Sequence, residues 1–496
     1  MGTRAIARSL AELGLTAPGA GEVRVTGLSV DSRDVREGHL FAALPGARVH
    51  GGEFIPYAIR QRAGAILTDK DGARIAGDEI RASGIPLIVA EDPRQALAYA
   101  AALWFGHQPD IVVAVTGTNG KTSVASFTRQ LWSAMGEPAV NLGTTGVEGD
   151  WSKPLGHTTP EPITLHRTLA EIAAQGIAHC AMEASSHGLD QRRLDGVRLA
   201  AAGFTNLTQD HLDYHGTMSA YRDAKAQLFA RILPEDGTAV INIDDGYGPY
   251  MRDVAEARGQ DLLTVGTRAD AALRIVAQRY DATGQDLRFE WNGQAHQRRL
   301  NLIGGFQAAN ALVAAGLCIG SGSDPRAVFD ALEHLTTVRG RMQHVATRDN
   351  GATVFVDYAH TPDAIATALK ALRPHVLGRL VIVFGAGGDR DRTKRPLMGE
   401  AAARHADVVF VTDDNPRSED PDVIRAAIRQ GCPEANDVGD RAEAILRGVD
   451  ALGPGDALLV AGKGHETGQV IGGAVLPFDD AEQASVAVAA LDGRIA

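Results

Sequence analysis

Cysteine is scarce: Cys180, Cys318 and Cys432 are the only three in 496 residues. They lie far apart, so the chain carries neither a disulfide framework nor a zinc-ligand spacing, and a reducing, cytoplasmic compartment is expected. Long apolar runs are missing as well. No segment approaches the roughly 18 to 20 consecutive apolar residues that a bilayer-crossing helix needs. Met1 to Leu15 mixes Arg4, Arg8 and Glu12 with alanine and leucine, so no signal peptide is expected. Nor is positive charge in excess: 49 Lys and Arg against 61 Asp and Glu give a formal net charge of -12. That balance disfavours a nucleic-acid binder or motor and requires any anionic ligand to be met by local positive groups. Fixed-period repeats and low-complexity tracts are also absent.

What is present is ordinary globular composition, 44% hydrophobic and 22% charged, in a chain longer than one core usually supports. About three α/β domains are expected. Between Val23 and Ala90, apolar runs such as His39 to Leu44 and Pro86 to Ala90 alternate with helix-like stretches such as Ile55 to Arg62, the pattern of a small α/β unit. A helix-rich stretch over 91–108 ends at Gly106-His107-Gln108-Pro109, which marks a boundary. Apolar runs at 111–115, 179–183, 201–205 and 238–243 then alternate with helical stretches, predicting a mostly parallel sheet covered on both faces. Runs at 353–357, 380–384, 407–411 and 457–460 predict a second open α/β sheet. The domains are thus read as 1–108, a central P-loop ATPase-type domain over 109–342, and a Rossmann-like domain over 343–496, with ligands beyond the carboxyl ends of strands.

The most informative string is Thr116-Gly117-Thr118-Asn119-Gly120-Lys121-Thr122-Ser123, directly after the apolar run 111–115. A glycine turn followed by a helix start aims backbone N–H groups at phosphate oxygens, while a lysine and a hydroxyl supply the β/γ contact and a magnesium ligand. Lys121 and Thr122 fill those two roles. The loop is a shortened variant, because Gly117 lies only three residues before Gly120 and the usual glycine position holds Val115. Two later strand ends are dense in polar groups: Glu183-Ala184-Ser185-Ser186-His187, and Asn206 through Asp210-His211-Leu212-Asp213-Tyr214-His215. Carboxylate and imidazole beside a phosphate loop can hold magnesium during phosphoryl transfer.

These strings, together with Arg339-Gly340-Arg341-Met342, Asp357-Tyr358-Ala359-His360-Thr361-Pro362-Asp363 and Gly462-Lys463-Gly464-His465-Glu466, resemble the Mur ligases, ATP-dependent amide-forming enzymes of peptidoglycan precursor synthesis. The resemblance covers all three expected domains in order. It implies an ATP site from Gly117, Thr118, Asn119, Gly120, Lys121, Thr122, Ser123, Asn310, Arg341 and Asp357. It also implies a catalytic set of Lys121, Glu183, His211, Lys225 and His360, with Thr122, Glu183, His211 and Lys225, the last as a carbamate, near Mg2+. Whether His360 helps deprotonate an amine or supports the nucleotide site stays open. The UDP-muramoyl-dipeptide falls by the same resemblance to Val30, Ser32, Ala47, Arg48 and Val49, and in the centre to Thr158, Thr159, Ser186, Gln191 and Arg193. His157 stands where some relatives carry asparagine.

Within the family, Asp414-Asn415-Pro416-Arg417 resembles the string of members that add meso-diaminopimelate as the third residue of the peptide stem. An arginine offers planar paired donors to the far carboxylate of that substrate, a group that lysine lacks. Arg390, Gly462 and Glu466 are implied in the same pocket, with Glu466 an acceptor for an ammonium group. Arg392 and Arg395 fit a surface-charge role equally well and are left out of the pocket. The implied reaction phosphorylates the D-glutamate γ-carboxylate of UDP-N-acetylmuramoyl-L-alanyl-D-glutamate and lets the amine displace phosphate. A monomer is expected. The rival readings are a lysine-adding or folylpolyglutamate-type ligase, disfavoured by Arg417 and by the N-terminal domain, and a nucleotide-binding regulator without turnover.

Overall fold

Strand Ile111–Thr116 shows how the centre of the molecule is built. Its side chains alternate between two cores, Val113 and Val115 on one face and Val112 and Ala114 on the other. A strand buried on both faces needs helices above and below, which a parallel sheet with helical crossovers supplies. A computed structural model describes residues 7–17, 20–46, 49–281 and 283–494.

In the ten-stranded central sheet, Ile111–Thr116 is flanked by His179–Glu183 and Ala201–Phe204, both parallel to it. The chain leaves it toward one edge, to Ala139–Gly143, and later returns to its other side, so the strand order reverses there and a crevice opens at its carboxyl end. The phosphate-loop string occupies that crevice. Beyond Asp261–Gly266 the sheet continues into Leu273–Asp281, Gly284–Trp291 and Gln294–Leu300, the last two pairings antiparallel. The apolar-run reading misses these strands, together with Ala139–Gly143 and Gln343–Thr347. The meander lies at the sheet edge, half-exposed and rich in Arg and Gln, so it lacks a continuous apolar run.

The N-terminal sheet has four parallel strands, Gly27–Ser29, His39–Ala42, Ala65–Thr68 and Leu87–Val89. Its helix Ile55–Arg60 stops two residues short of the expected end, and Pro93–Phe105 ends at Gly106, whose φ of 73° suits a residue without Cβ. The six-stranded C-terminal sheet is parallel except for the edge strand Gln343–Thr347. No helix among the described residues is long and apolar enough to cross a membrane.

One buried ion pair ties the end of the C-terminal chain to the sheet. Arg441 donates to both Asp480 carboxylate oxygens at 2.7 Å and to the carbonyl of Ala461 at 3.0 Å, with both charged side chains fully buried. Removing one partner strands the other charge away from water, so Asp480→Ala is expected to cost about 3–5 kcal/mol. Urea unfolding followed by circular dichroism checks this; an unchanged midpoint refutes it.

Candidate active site

Three parallel strands end side by side, and each contributes to one cleft. Glu183 closes His179–Glu183 beside Val115, and Thr116 pairs with Phe204, so Glu183, the loop from Gly117 and the segment from Thr205 share the carboxyl edge. Gly120 has φ 88° and caps helix Lys121–Ala134; a Cβ there would run into the Asn310 side chain. That close approach, and not only the turn, demands glycine. The loop is braced from its neighbour: Thr118 N donates to Asn206 O at 2.8 Å, Asn119 N to Asn206 Oδ1 at 2.9 Å, and the Thr205 hydroxyl to Asn119 O at 2.6 Å.

Lys121 turns back on this loop, its Nζ donating to Gly117 O at 2.8 Å and Thr118 O at 2.9 Å. Lys225, on helix Met218–Gln227, reaches the same Gly117 carbonyl at 2.7 Å and lies 4.6 Å from the centre of the Tyr221 ring. It is only 1% exposed. Burial first, and the nearby Lys121 second, hold its amine well below the usual lysine range. The Glu183 carboxylate is buried and accepts from Thr144 N at 2.8 Å and the Thr144 hydroxyl at 3.3 Å.

His211 has φ 53° and caps the short helix Leu212–His215. Its side chain is 47% exposed, and partial loss of hydration, opposed by the Asp210 carboxylate and reinforced by Lys121 and Lys225, lowers its imidazole below the usual histidine range, which favours the neutral ring at pH 7. Among the described residues no three His, Cys, Asp or Glu side chains are preassembled around a metal.

From the C-terminal side, Arg341 lies 4.4 Å from the centre of the Tyr358 ring and donates to the buried Thr122 hydroxyl at 3.4 Å. Asp357 accepts from Met342 N at 2.6 Å and Ala359 N at 2.8 Å, and burial raises its pKa. His360 Nδ1 lies 2.8 Å from the Tyr358 carbonyl. A carbonyl only accepts, so Nδ1 carries the proton and Nε2 holds a free lone pair when the ring is neutral; burial, then Lys394, favours that form. Lys394 donates to the His360 carbonyl at 3.0 Å.

The expected dipeptide residues of the centre converge beside Glu183. The Thr159 hydroxyl donates to Glu183 O at 2.9 Å, Arg193 donates to Thr159 O at 2.6 Å and Gln191 Oε1 at 2.7 Å, and the Thr158 hydroxyl is 2.9 Å from that of Thr144. Ser186 Oγ is buried with no hydrogen-bond partner. In the N-terminal sheet, Val30, Ser32 and Val49 line one cleft of about 900 Å³ with Arg33, Phe54 and Tyr57. Ala47 and Arg48 lie outside the described residues.

In the C-terminal sheet, Asp414 to Arg417 follows strand Val408–Val411 and Gly462 to Glu466 follows Ala457–Ala461. Asn415 Nδ2 donates to Glu466 Oε2 at 2.9 Å. Arg417, at φ 53°, is pinned by backbone bonds to Val470 O at 3.0 Å and from Gly472 N at 2.7 Å, and its guanidinium donates to Gly388 O at 2.7 Å. Arg390 is exposed on the neighbouring turn. Arg395 departs from the surface-charge reading: it is buried and pairs with Glu419 at 2.9 Å, while Arg392 reaches the same carboxylate at 3.2 Å from the surface. Their carboxylate partner lies 24 or more residues away, so no local pattern reveals the pairing. Thr144, Asn206, Tyr358, Lys394 and Lys463 also enter the site without having been singled out. For Lys463 the flanking glycines were the available signal.

Residues 24–105 match the Mur ligase family catalytic domain, 115–318 the Mur ligase middle domain and 340–464 the Mur ligase glutamate ligase domain. A UDP-N-acetylmuramoyl-L-alanyl-D-glutamate--2,6-diaminopimelate ligase of Bradyrhizobium diazoefficiens is 50% identical over 95% of this chain and 96% of that protein. The ligase of the same name from Caulobacter vibrioides is 48% identical over 96% of this chain and 98% of its own length. Among solved structures, one of a ligase of that name superposes with a TM-score of 0.72 at 34% identity, covering 98% of this chain and 99% of the other. A MurF ligase of Thermotoga maritima in complex with ADP, 19% identical with a TM-score of 0.60 over 94% of this chain and 98% of its own, shares the fold.

Proposed function

The chain belongs to the Mur ligase family, and from that premise we propose that it is the ATP-dependent ligase that joins meso-diaminopimelate to UDP-N-acetylmuramoyl-L-alanyl-D-glutamate, releasing ADP and phosphate. The observation that carries the choice of amino acid is that one hydrogen-bonded frame holds the Arg417 backbone and the Glu466 carboxylate. Arg417 is bonded to Val470, Val470 N donates to Asn415 Oδ1 at 2.9 Å, and Asn415 holds Glu466. An acceptor held by that frame, with a donor fork carried on the same backbone and resting on Gly388 O, suits a substrate with a carboxylate at one end and ammonium groups beside it. Asp414, Pro416, Gly462 and the exposed Arg390 complete the proposed pocket.

The D-glutamate carboxylate is a poor electrophile until the γ-phosphoryl group of ATP is transferred to one of its oxygens, which releases ADP and gives the acyl carbon a phosphate leaving group. In this reading Lys121, with the loop Gly117 to Ser123 and chiefly its N–H groups at the helix start from Gly120 to Ser123, binds the nucleotide phosphates and stabilises the transferred phosphoryl group, while Asn310 and Asp357 flank the nucleoside. Arg341, held against Tyr358 and Thr122, brings a second cation from the C-terminal side. Buried Glu183, the Thr122 hydroxyl and neutral His211 are oxygen and nitrogen donors suited to Mg2+, which when bound neutralises phosphate charge. The depressed amine of Lys225 suits conversion to a carbamate, an anionic oxygen donor for the same region. Thr158, Thr159, Ser186, Gln191 and Arg193 hold the muramoyl-dipeptide, and Val30, Ser32 and Val49, with Ala47 and Arg48, its uridine end. His360, with its Nε2 lone pair free, is available either as the base for amine deprotonation or as support for the nucleotide site. A cytoplasmic, monomeric enzyme belongs to the same reading.

Ligation of UDP-N-acetylmuramoyl-L-alanyl-D-glutamate, offered meso-diaminopimelate and L-lysine separately with ADP release and product mass recorded, tests it. Product with diaminopimelate and little with lysine is expected. Arg417→Ala should lower kcat/KM for diaminopimelate by about 100-fold or more, the loss of a charge-assisted paired contact. Preference for lysine would overturn the amino-acid assignment, and no product with either would overturn the ligase reading.

A further inference from the structure

We infer that Lys463 is a positioning residue for the proposed amino-acid pocket: its buried ammonium group fixes Asn415 and Glu466 so that one Glu466 oxygen is left for the incoming ammonium. The inference rests on the reading of this pocket as the diaminopimelate site. Lys463 Nζ donates to Asn415 Oδ1 at 3.0 Å and to Glu466 Oε2 at 3.2 Å. The lysine side chain is 0% exposed, whereas that of Glu466 is 34% exposed. Because Asn415 Nδ2 donates to the same Oε2, that oxygen holds two donors and anchors the carboxylate at one end. Oε1 is thereby the oxygen available to a ligand.

The asparagine is itself immobilised. Its Oδ1 accepts from Lys463 and from Val470 N, and Gln469 Nε2 donates to the Asp414 carbonyl at 2.8 Å, which fastens the whole segment to the hairpin Gly468–Ile471 and Ala474–Pro477. Asn415 therefore reaches a ligand through Glu466 more than through its own oxygen. Local sequence explains how a lysine comes to point inward. Gly462 and Gly464 have φ of 116° and 56°, and a Cβ on either would meet the Asp414 carboxylate or Tyr358. The chain reverses between two left-handed residues and carries Lys463 into the fold. An ammonium is costly to dehydrate, and here both partners belong to the pocket, so the charge serves the site's geometry.

Steady-state kinetics on the full chain test this with Lys463→Met, Glu466→Gln and the double variant. Lys463→Met should raise KM for meso-diaminopimelate about tenfold or more while leaving KM for ATP and for the UDP-muramoyl-dipeptide within about twofold. Added to Glu466→Gln, it should cost less than about twofold further, because both changes act through one carboxylate. An unchanged diaminopimelate KM, or losses that multiply in full in the double variant, overturns the proposal. If Lys463→Met does not melt cooperatively, Lys463→Gln, too short to bridge both acceptors, is expected to raise the same KM by about threefold or more, and an unchanged value overturns the proposal equally. A wild-type chain that ligates neither amino acid instead overturns the pocket reading itself.

Discussion

Lys121→Ala is expected to lower ATP-dependent ligation by about 1,000-fold or more, with the protein still folded. The lysine begins helix Lys121–Ala134, and its Nζ now rests on the carbonyls of Gly117 and Thr118. Those contacts hold an ammonium at the mouth of the loop, where it needs no large rearrangement to meet phosphate oxygens. Removing it deletes the ammonium that spans two loop carbonyls while leaving the loop backbone, which is braced independently by Asn206 and Thr205. Arginine should not restore activity, because a planar fork cannot replace a compact ammonium between closely spaced carbonyls. Full activity in Lys121→Ala, measured as ADP release coupled to tripeptide product, would remove ATP binding at this loop from the mechanism.

Lys225→Ala is expected to lose about 100-fold or more in activity without a lower melting temperature. A lysine that is almost wholly buried, bonded to one carbonyl and near a second lysine contributes little stability as a cation. Its burial favours the neutral amine, and the neutral amine is the nucleophile that adds to carbon dioxide, releasing one proton and leaving a carbamate anion. Two consequences separate this role from a structural one. Stripping carbon dioxide from the buffer should lower the activity of the unaltered protein and bicarbonate should restore it, whereas neither treatment should affect Lys225→Ala. Lys225→Arg should be as inactive as the alanine variant. Wild-type activity indifferent to carbon dioxide, together with an active Lys225→Arg, would show that the amine acts unmodified.

Much of this was legible in the chain because the signals are local. Lys121 and Thr122 follow an apolar strand and a glycine turn, and Glu183 and His211 follow further strands, so contiguous strings announce them. Lys225 had no such signal: read alone it is a helix residue, and only the family resemblance singled it out. Its burial and depressed amine arise because helix Met218–Gln227 lays that face against the phosphate loop. The meander from Leu273 to Leu300 was missed for the opposite reason, since edge strands with one wet face do not form apolar runs.

By itself, the sequence determined the α/β class, the phosphate loop and the strings that identify the family, because glycine turns, strand runs and helix starts are set by neighbouring residues. Tertiary structure alone decided which side chains are charged partners and which are free. Arg395 became a buried partner of Glu419, and Lys463 was enclosed with Asn415 and Glu466. The physical reason is that burial and pairing depend on groups brought together across long sequence separations. Thr122 and Arg341, 219 positions apart, are bridged only when the folded chain returns to the same cleft.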